Sequence, residues 1–240
     1  MKEPLYVRPL VRRIYAIFPA RVQRLLRGTL VKVLRITKKD LDFHYNETFA
    51  TGPVRNKPWT EDFCTMVIRI FNPKSIIDFG CGTGDILRPF EKRGIPICGI
   101  DGSKANQRHA KIEQHNFQLF DLRNTYKVER AYDIAFCFEV AEHIEEKCTF
   151  TLIKSLTEVS PLIIFSASPS SAGVDHCNVH PYEWWIDTFR NFSFEIDRDL
   201  THRLKQEMYA SAVDSWYIEN VMVFKRSPAR PESLAKPPTP

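Results

Sequence analysis

Short apolar runs recur along the middle of the chain, at residues 76–79, 95–100, 117–120, 132–138 and 162–166. Continuous apolarity over so few residues, without polar alternation, marks strands buried on both faces. The segments between them carry helical signals: Asp85 to Arg93, Ser103 to His115 with Ser103 as cap, and Val140 to Val159. Strand and helix alternate, so β-α repeats and a mostly parallel, doubly wound α/β sheet are expected. Ahead of the first strand, Thr60 offers a cap, Glu61 and Asp62 suit a positive helix start, and Asn72-Pro73 supplies a stop. Beyond the last run, residues 181–191 read as a helix opened by Pro181, and Phe192 to Ile196 and Ile218 to Phe224 read as two further strands.

The first strand breaks into Asp78-Phe79-Gly80-Cys81-Gly82-Thr83-Gly84. Alternate glycines after a buried strand form a turn that lets a phosphate- or nucleoside-sized ligand reach the backbone. A dinucleotide fingerprint wants another glycine at position 85, where this chain has aspartate, which argues against NAD. The next strand ends at Asp101-Gly102, about 20 residues past the glycines, as a ribose-binding carboxylate should. The third ends at Asp121-Leu122 and the fourth at Glu139. Successive strands thus deliver acids to one edge.

With this series the chain resembles the class I S-adenosylmethionine-dependent methyltransferases, whose first motif, acid-x-Gly-x-Gly-x-Gly, matches Asp78, Gly80, Gly82 and Gly84. The resemblance implies a Rossmann-like seven-stranded sheet closed by an antiparallel edge hairpin. It further implies that Gly80, Cys81, Gly82 and Gly84 pass under the methionine part of S-adenosylmethionine, with Asp78 near its amino group. Asp101 and Gly102 would meet the ribose, Asp121 and Leu122 the adenine, and Glu139 would complete the cofactor site.

Composition changes this picture little: 43% hydrophobic and 26% charged residues suit one globular domain, and no run approaches the ~18 apolar residues of a membrane span. The six cysteines include no Cys-x-x-Cys pair and read as reduced core residues in a cytosolic setting. Charge changes it more. Residues 1–39 hold 11 Lys and Arg against one acid, Glu3, so the formal +5 divides into +10 there and −5 elsewhere. Apolar residues at helical spacing between these arginines make 5–36 an amphipathic helical stretch, broken at Pro19. Such a stretch suits an anionic membrane surface; packing on the domain, or binding an acidic partner or RNA, would use the same features. An organelle-targeting peptide would carry more serine. Residues 40–59 mix aromatics with turn formers and suit either a lid or a plain connection. The expected organisation is therefore a basic helical extension over 1–40, a catalytic domain over 41–226, and a Pro-rich disordered tail over 227–240.

Methyl transfer to a hydroxyl needs donor and acceptor in contact and a base for the proton. Glu142 and His143 follow the fourth strand by one short turn, and an imidazole of pKa about 6.5 suits that base, with Glu142 orienting it. A structural histidine opening a helix would look the same. Past the fifth strand, Ser166, Ser168, Ser170, Ser171, Asp175, His176, Asn178 and His180 form a polar loop where α/β sheets place substrates. His176 or His180 would contact the acceptor, expected to be a small molecule such as a sugar, phenol or quinone-like ring. Glu139, Glu142 and His143 with a later histidine also resemble the Glu-x-x-Glu-His site of small-RNA terminal 2′-O-methyltransferases, and Glu-His resembles ubiquinone-pathway O-methyltransferases. The first resemblance implies Mg²⁺ or Mn²⁺ holding a diol, although its histidine gap is longer than here, so nucleic acid is the less expected partner. A non-catalytic scaffold presenting the basic helices is the reading from another class.

Overall fold

The computed structural model describes residues 47–52, 57–171, 175–211 and 213–228. The basic extension and the proline-rich tail expected from the sequence lie outside them, as does most of the aromatic connection before Lys57.

Seven strands form one sheet: β1 (Ile76–Phe79), β2 (Ile97–Asp101), β3 (Phe117–Leu119), β4 (Ile134–Phe138), β5 (Leu162–Ser166), β6 (Phe194–Ile196) and β7 (Met222–Arg226). Their order is β3-β2-β1-β4-β5-β7-β6, parallel through β5, with β7 antiparallel to both its neighbours. Chain order reverses direction across the sheet between β1 and β4, where α/β sheets open a crevice.

Each apolar run splits its residues between two cores. Ile76, Ile134, Phe136, Phe138 and Ile164 face one, while Ile77, Phe79, Ala135, Cys137, Ile163 and Phe165 face the other. This is the period of two expected when both faces are covered. Helices α1 (Glu47–Ala50), α2 (Thr60–Phe71), α3 (Arg88–Lys92), α4 (Lys104–Arg108), α5 (Thr149–Val159), α6 (Tyr182–Arg190), α7 (Arg198–Ala210) and α8 (Ser215–Asn220) accompany the sheet. Phe63 and Met66 of α2 and Leu204 and Met208 of α7 cover the first core; Leu152 and Leu156 of α5 and Trp185 and Phe189 of α6 cover the second.

Several boundaries differ from the sequence expectation. The helix expected over 85–93 is only Arg88–Lys92, because residues 83–87 are still turning out of the glycines. The one expected over 103–115 stops at Arg108, capped as foreseen by Ser103 Oγ, which accepts from Asn106 N at 3.1 Å. Thr60 begins α2 instead of capping it; the preceding residue, Trp59, is anchored by its own indole N–H on Asp214 at 3.0 Å. Helix α7 had no counterpart in the sequence reading, since its apolar stripe is only Leu200, Leu204 and Met208. Its signal was Asp197, whose carboxylate accepts from Leu200 N at 2.9 Å. The strand expected over 218–224 begins as helix α8, and β7 follows from Met222. The expected antiparallel edge pair is present, with α7 and α8 connecting its strands.

Candidate active site

Asp78, Asp101, Asp121 and Glu139 all lie at the carboxyl ends of β1 to β4, so the sheet gathers them along one edge. The turn after β1 holds Gly80 at φ 83°, Gly82 at φ 59° and Gly84 at φ 81°, a left-handed region that side chains resist. At Gly80 space also forbids a side chain, since a Cβ would lie 2.3 Å from Val140 Cγ2. The turn is pinned to the second strand: Gly80 N and Cys81 N donate to Ile100 O, and Gly82 N donates to Asp101 Oδ2 at 2.9 Å. Asp101 Oδ1 accepts from Ser103 N at 2.8 Å and from Asn106 Nδ2 at 3.0 Å. One carboxylate therefore sets the spacing between the glycine turn and the start of α4.

Asp78 is 2% exposed, and burial pushes its carboxyl up to about 7; the Lys57 charge opposes this shift and that of Asp101 adds to it. The Lys57 ammonium lies 5.0 Å from the Tyr217 ring centre and 5.8 Å from that of Trp59, a cation–π position. An acid that leads into the glycine turn thus has a lysine within range of its charge, a pair that could hold the ammonium and carboxylate of an α-amino acid. Asp121 is gripped by its neighbour Arg123, whose Nε lies 2.9 Å from Oδ1 and whose terminal nitrogen lies 2.6 Å from Oδ2. Burial raises its pKa, but these hydrogen bonds outweigh burial and hold it low. Leu122 is buried in the second core with Phe79 and Tyr126, so its side chain is a packing element at this position.

Beyond β4 the chain makes a 3-10 turn, Ala141–His143, that places Glu142 and His143 under the loop following β5. Glu142 is fully buried. Its Oε1 accepts from Ser168 N at 3.1 Å, and its carbonyl accepts from Cys177 N and Asn178 N. Burial raises the pKa of both Glu139 and Glu142, which lie near enough for each to feel the other. Burial, reinforced by the Glu139 charge, raises Glu142 to about 8. The His143 and His176 rings meet edge to face with centres 4.8 Å apart, and His176 Nδ1 lies 2.5 Å from Ser170 O. One ligand-capable atom each from Glu142, His143 and His176 falls within 4.8 Å of the others.

Two residues expected beside this cluster do other work. His180 stacks on Trp184 at 3.6 Å and an interplanar angle of 7°, with Nε2 3.9 Å from Glu146 Oε2. Asn178 is buried and staples the loop, donating to Ala141 O at 3.1 Å and Thr149 Oγ1 at 2.8 Å. Conversely, the sequence reading missed Asn220 of α8, whose amide donates to the Glu139 carboxylate, and Tyr182 of α6, whose hydroxyl donates to Asn220 Oδ1. No local motif could have pointed to them.

The family described as a methyltransferase domain matches residues 56–205 of this chain. The ubiquinone biosynthesis O-methyltransferase of Rhodopseudomonas palustris (strain BisA53) is 35% identical over 92 residues, covering 33% of this chain and 36% of that protein. The same enzyme of Rickettsia akari (strain Hartford) is 28% identical over 190 residues, covering 70% and 76%. The match thus spans about a third of the first relative's length and about three quarters of the second's. Among solved structures, magnesium protoporphyrin IX methyltransferase from Synechocystis PCC 6803 with bound SAH superposes with a TM-score of 0.54 at 17% identity, covering 83% of this chain and 95% of that one. That likeness shows the fold. Sheet order, strand-end acids and the family match agree, and the chain belongs to the class I S-adenosylmethionine-dependent methyltransferases.

Proposed function

We propose that the protein methylates a hydroxyl oxygen of a small molecule, a sugar, phenol or quinone-like ring, with His143 as the base. The observation that carries this reading is the meeting of the glycine cradle and the Glu142, His143 and His176 cluster at adjacent strand ends. When bound, the cofactor supplies a methyl group activated on a sulfonium. Asp78 would take its ammonium and Lys57 its carboxylate, while Asp101 would take the ribose hydroxyls. His143 accepts the proton that the acceptor hydroxyl loses, His176 borders the same space, and Glu142, locked by Ser168 N, fixes the turn that presents His143. The ubiquinone-pathway relatives, which by their names methylate oxygen, favour this acceptor atom. Incubation with cofactor carrying a labelled methyl group, and separate panels of sugars, phenols and quinols, tests the reading. Label in any of these panels supports it. Absence of cofactor binding by calorimetry, with Asp101→Ala indistinguishable from wild type, overturns it.

A second reading is favoured by the clustered ligand atoms. One buried carboxylate and two imidazoles suit a divalent transition metal such as Mn²⁺ better than Mg²⁺, and they would hold it beside the acceptor. His180 and Glu139 stand outside this set, so it is smaller than the sequence suggested. Label transfer that survives EDTA removes the metal; transfer to RNA ends that needs Mn²⁺ would favour the RNA reading. The basic extension is proposed as a contact to anionic membrane.

A further inference from the structure

The Glu139 carboxylate sits where cradle and cluster meet. Register pairs Asp78 with Phe136 across β1 and β4, which sets Glu139 beside the glycine turn. The next residue, Val140, fills the space over Gly80. Glu139 is left-handed at φ 53°, a conformation that a residue with a β-carbon keeps only when its surroundings impose it. Here they do. Its N–H donates to Ser166 O at 3.0 Å and to Ser166 Oγ at 3.1 Å. Its two carboxylate oxygens accept from Asn220 Nδ2 at 3.1 and 3.3 Å, and Asn220 Oδ1 accepts from the Tyr182 hydroxyl at 2.8 Å. A carboxylate only accepts, so the amide nitrogen must face Glu139, and its carbonyl is left for Tyr182. Both groups come from elements far along the chain, and Asn220 is buried. Structural packing alone would not call for a strained, half-buried carboxylate held by a fixed amide at the edge of a ligand cradle.

We infer that Asn220 and Tyr182 are positioning residues that hold the Glu139 carboxylate toward the sulfonium end of the bound cofactor, so that the pocket favours the charged donor over its neutral demethylated product. The inference rests on the cofactor reading above. A carboxylate attracts a sulfonium and has no comparable attraction for a thioether, and a pocket of low dielectric strengthens the difference. The attraction is lost when the methyl group leaves, which eases product release.

Calorimetric titration of the full chain with S-adenosylmethionine and with S-adenosylhomocysteine tests this without an acceptor. Glu139→Gln and Asn220→Ala should each weaken the methylated cofactor about 10-fold while the demethylated one binds as before. Tyr182→Phe, which frees the amide to turn, should move the same ratio about 3-fold. An unchanged ratio in the variants overturns the inference, as does an equal loss of both ligands, the result expected of a structural role. If Asn220→Ala fails to fold by circular dichroism, Tyr182→Phe, which lacks only a hydroxyl, decides alone. Wild-type protein that binds neither ligand overturns the cofactor reading itself, and this inference with it.

Discussion

Asp78 carries a conflict between stability and function. Its carboxyl is raised to about 7 in the folded chain by burial, whereas the unfolded chain ionises it near 3.9. Between these values the unfolded state has lost a proton that the folded state keeps, so the contribution of Asp78 to stability falls as pH rises from about 4 to about 7. Asp78→Asn should therefore melt higher than wild type at pH 8, with the gap closing toward pH 4. In the proposed role the ionised carboxylate takes the cofactor ammonium, so wild-type affinity should rise through pH 7 with uptake of cofactor releasing a proton. The Asn variant should bind at least about 10-fold more weakly at pH 8. Calorimetry in buffers of different ionisation enthalpy reads both effects. His143 has the opposite profile: His143→Ala should lower label transfer about 100-fold or more while leaving cofactor affinity near wild type. Equal losses in both would make it a structural histidine.

The glycine turn shows what one element demands of its neighbours. Gly80→Ala meets two penalties, the left-handed backbone and a methyl group 2.3 Å from Val140 Cγ2. Together they should cost about 1–3 kcal/mol in urea unfolding. Adding Val140→Ala should return the part due to the collision and leave the part due to φ; a double variant no better than the single would mean that backbone conformation dominates. The turn and the strands were legible because their signals are local: apolar runs, alternating glycines, a terminal acid. Ser103 was read correctly as a cap for the same reason. Helix α7 was not, because Leu200, Leu204 and Met208 spaced among eight polar residues are a weak signal until the sheet supplies a face for Leu204 and Met208 to cover. The run 218–224 was misread because a short apolar stretch does not distinguish a buried helix turn from a strand.

At the scale of the molecule, charge is divided. Residues 1–39 carry +10 and the other 201 residues −5. No helix among the described residues is long and apolar enough to cross a membrane. The membrane contact proposed for residues 5–36 is a peripheral one, with each basic residue contributing about 1 kcal/mol near an anionic surface before screening by salt. Vesicles of phosphatidylserine and phosphatidylcholine should sediment the protein at low salt, less at high salt, and not after deletion of residues 1–36. A deletion variant that becomes insoluble, with an intact protein that ignores the vesicles, would instead mean that this stretch belongs to the core of the domain.

The sequence by itself determined the β-α alternation, the cradle of Gly80, Gly82 and Gly84, and the order in which Asp78, Asp101, Asp121 and Glu139 reach the sheet edge, because each follows from residues within one strand and its turn. Tertiary structure decided which distant groups share the pocket. His176 lies against His143, whereas His180, four residues on, is taken up by Trp184. Asn220 and Tyr182, in segments with no motif, hold the acid that ends β4. The His143–His176 and Glu139–Asn220 pairings join residues 33 and 81 positions apart. Local propensity carries no record of such meetings, which exist only once β4, β5 and β7 are side by side.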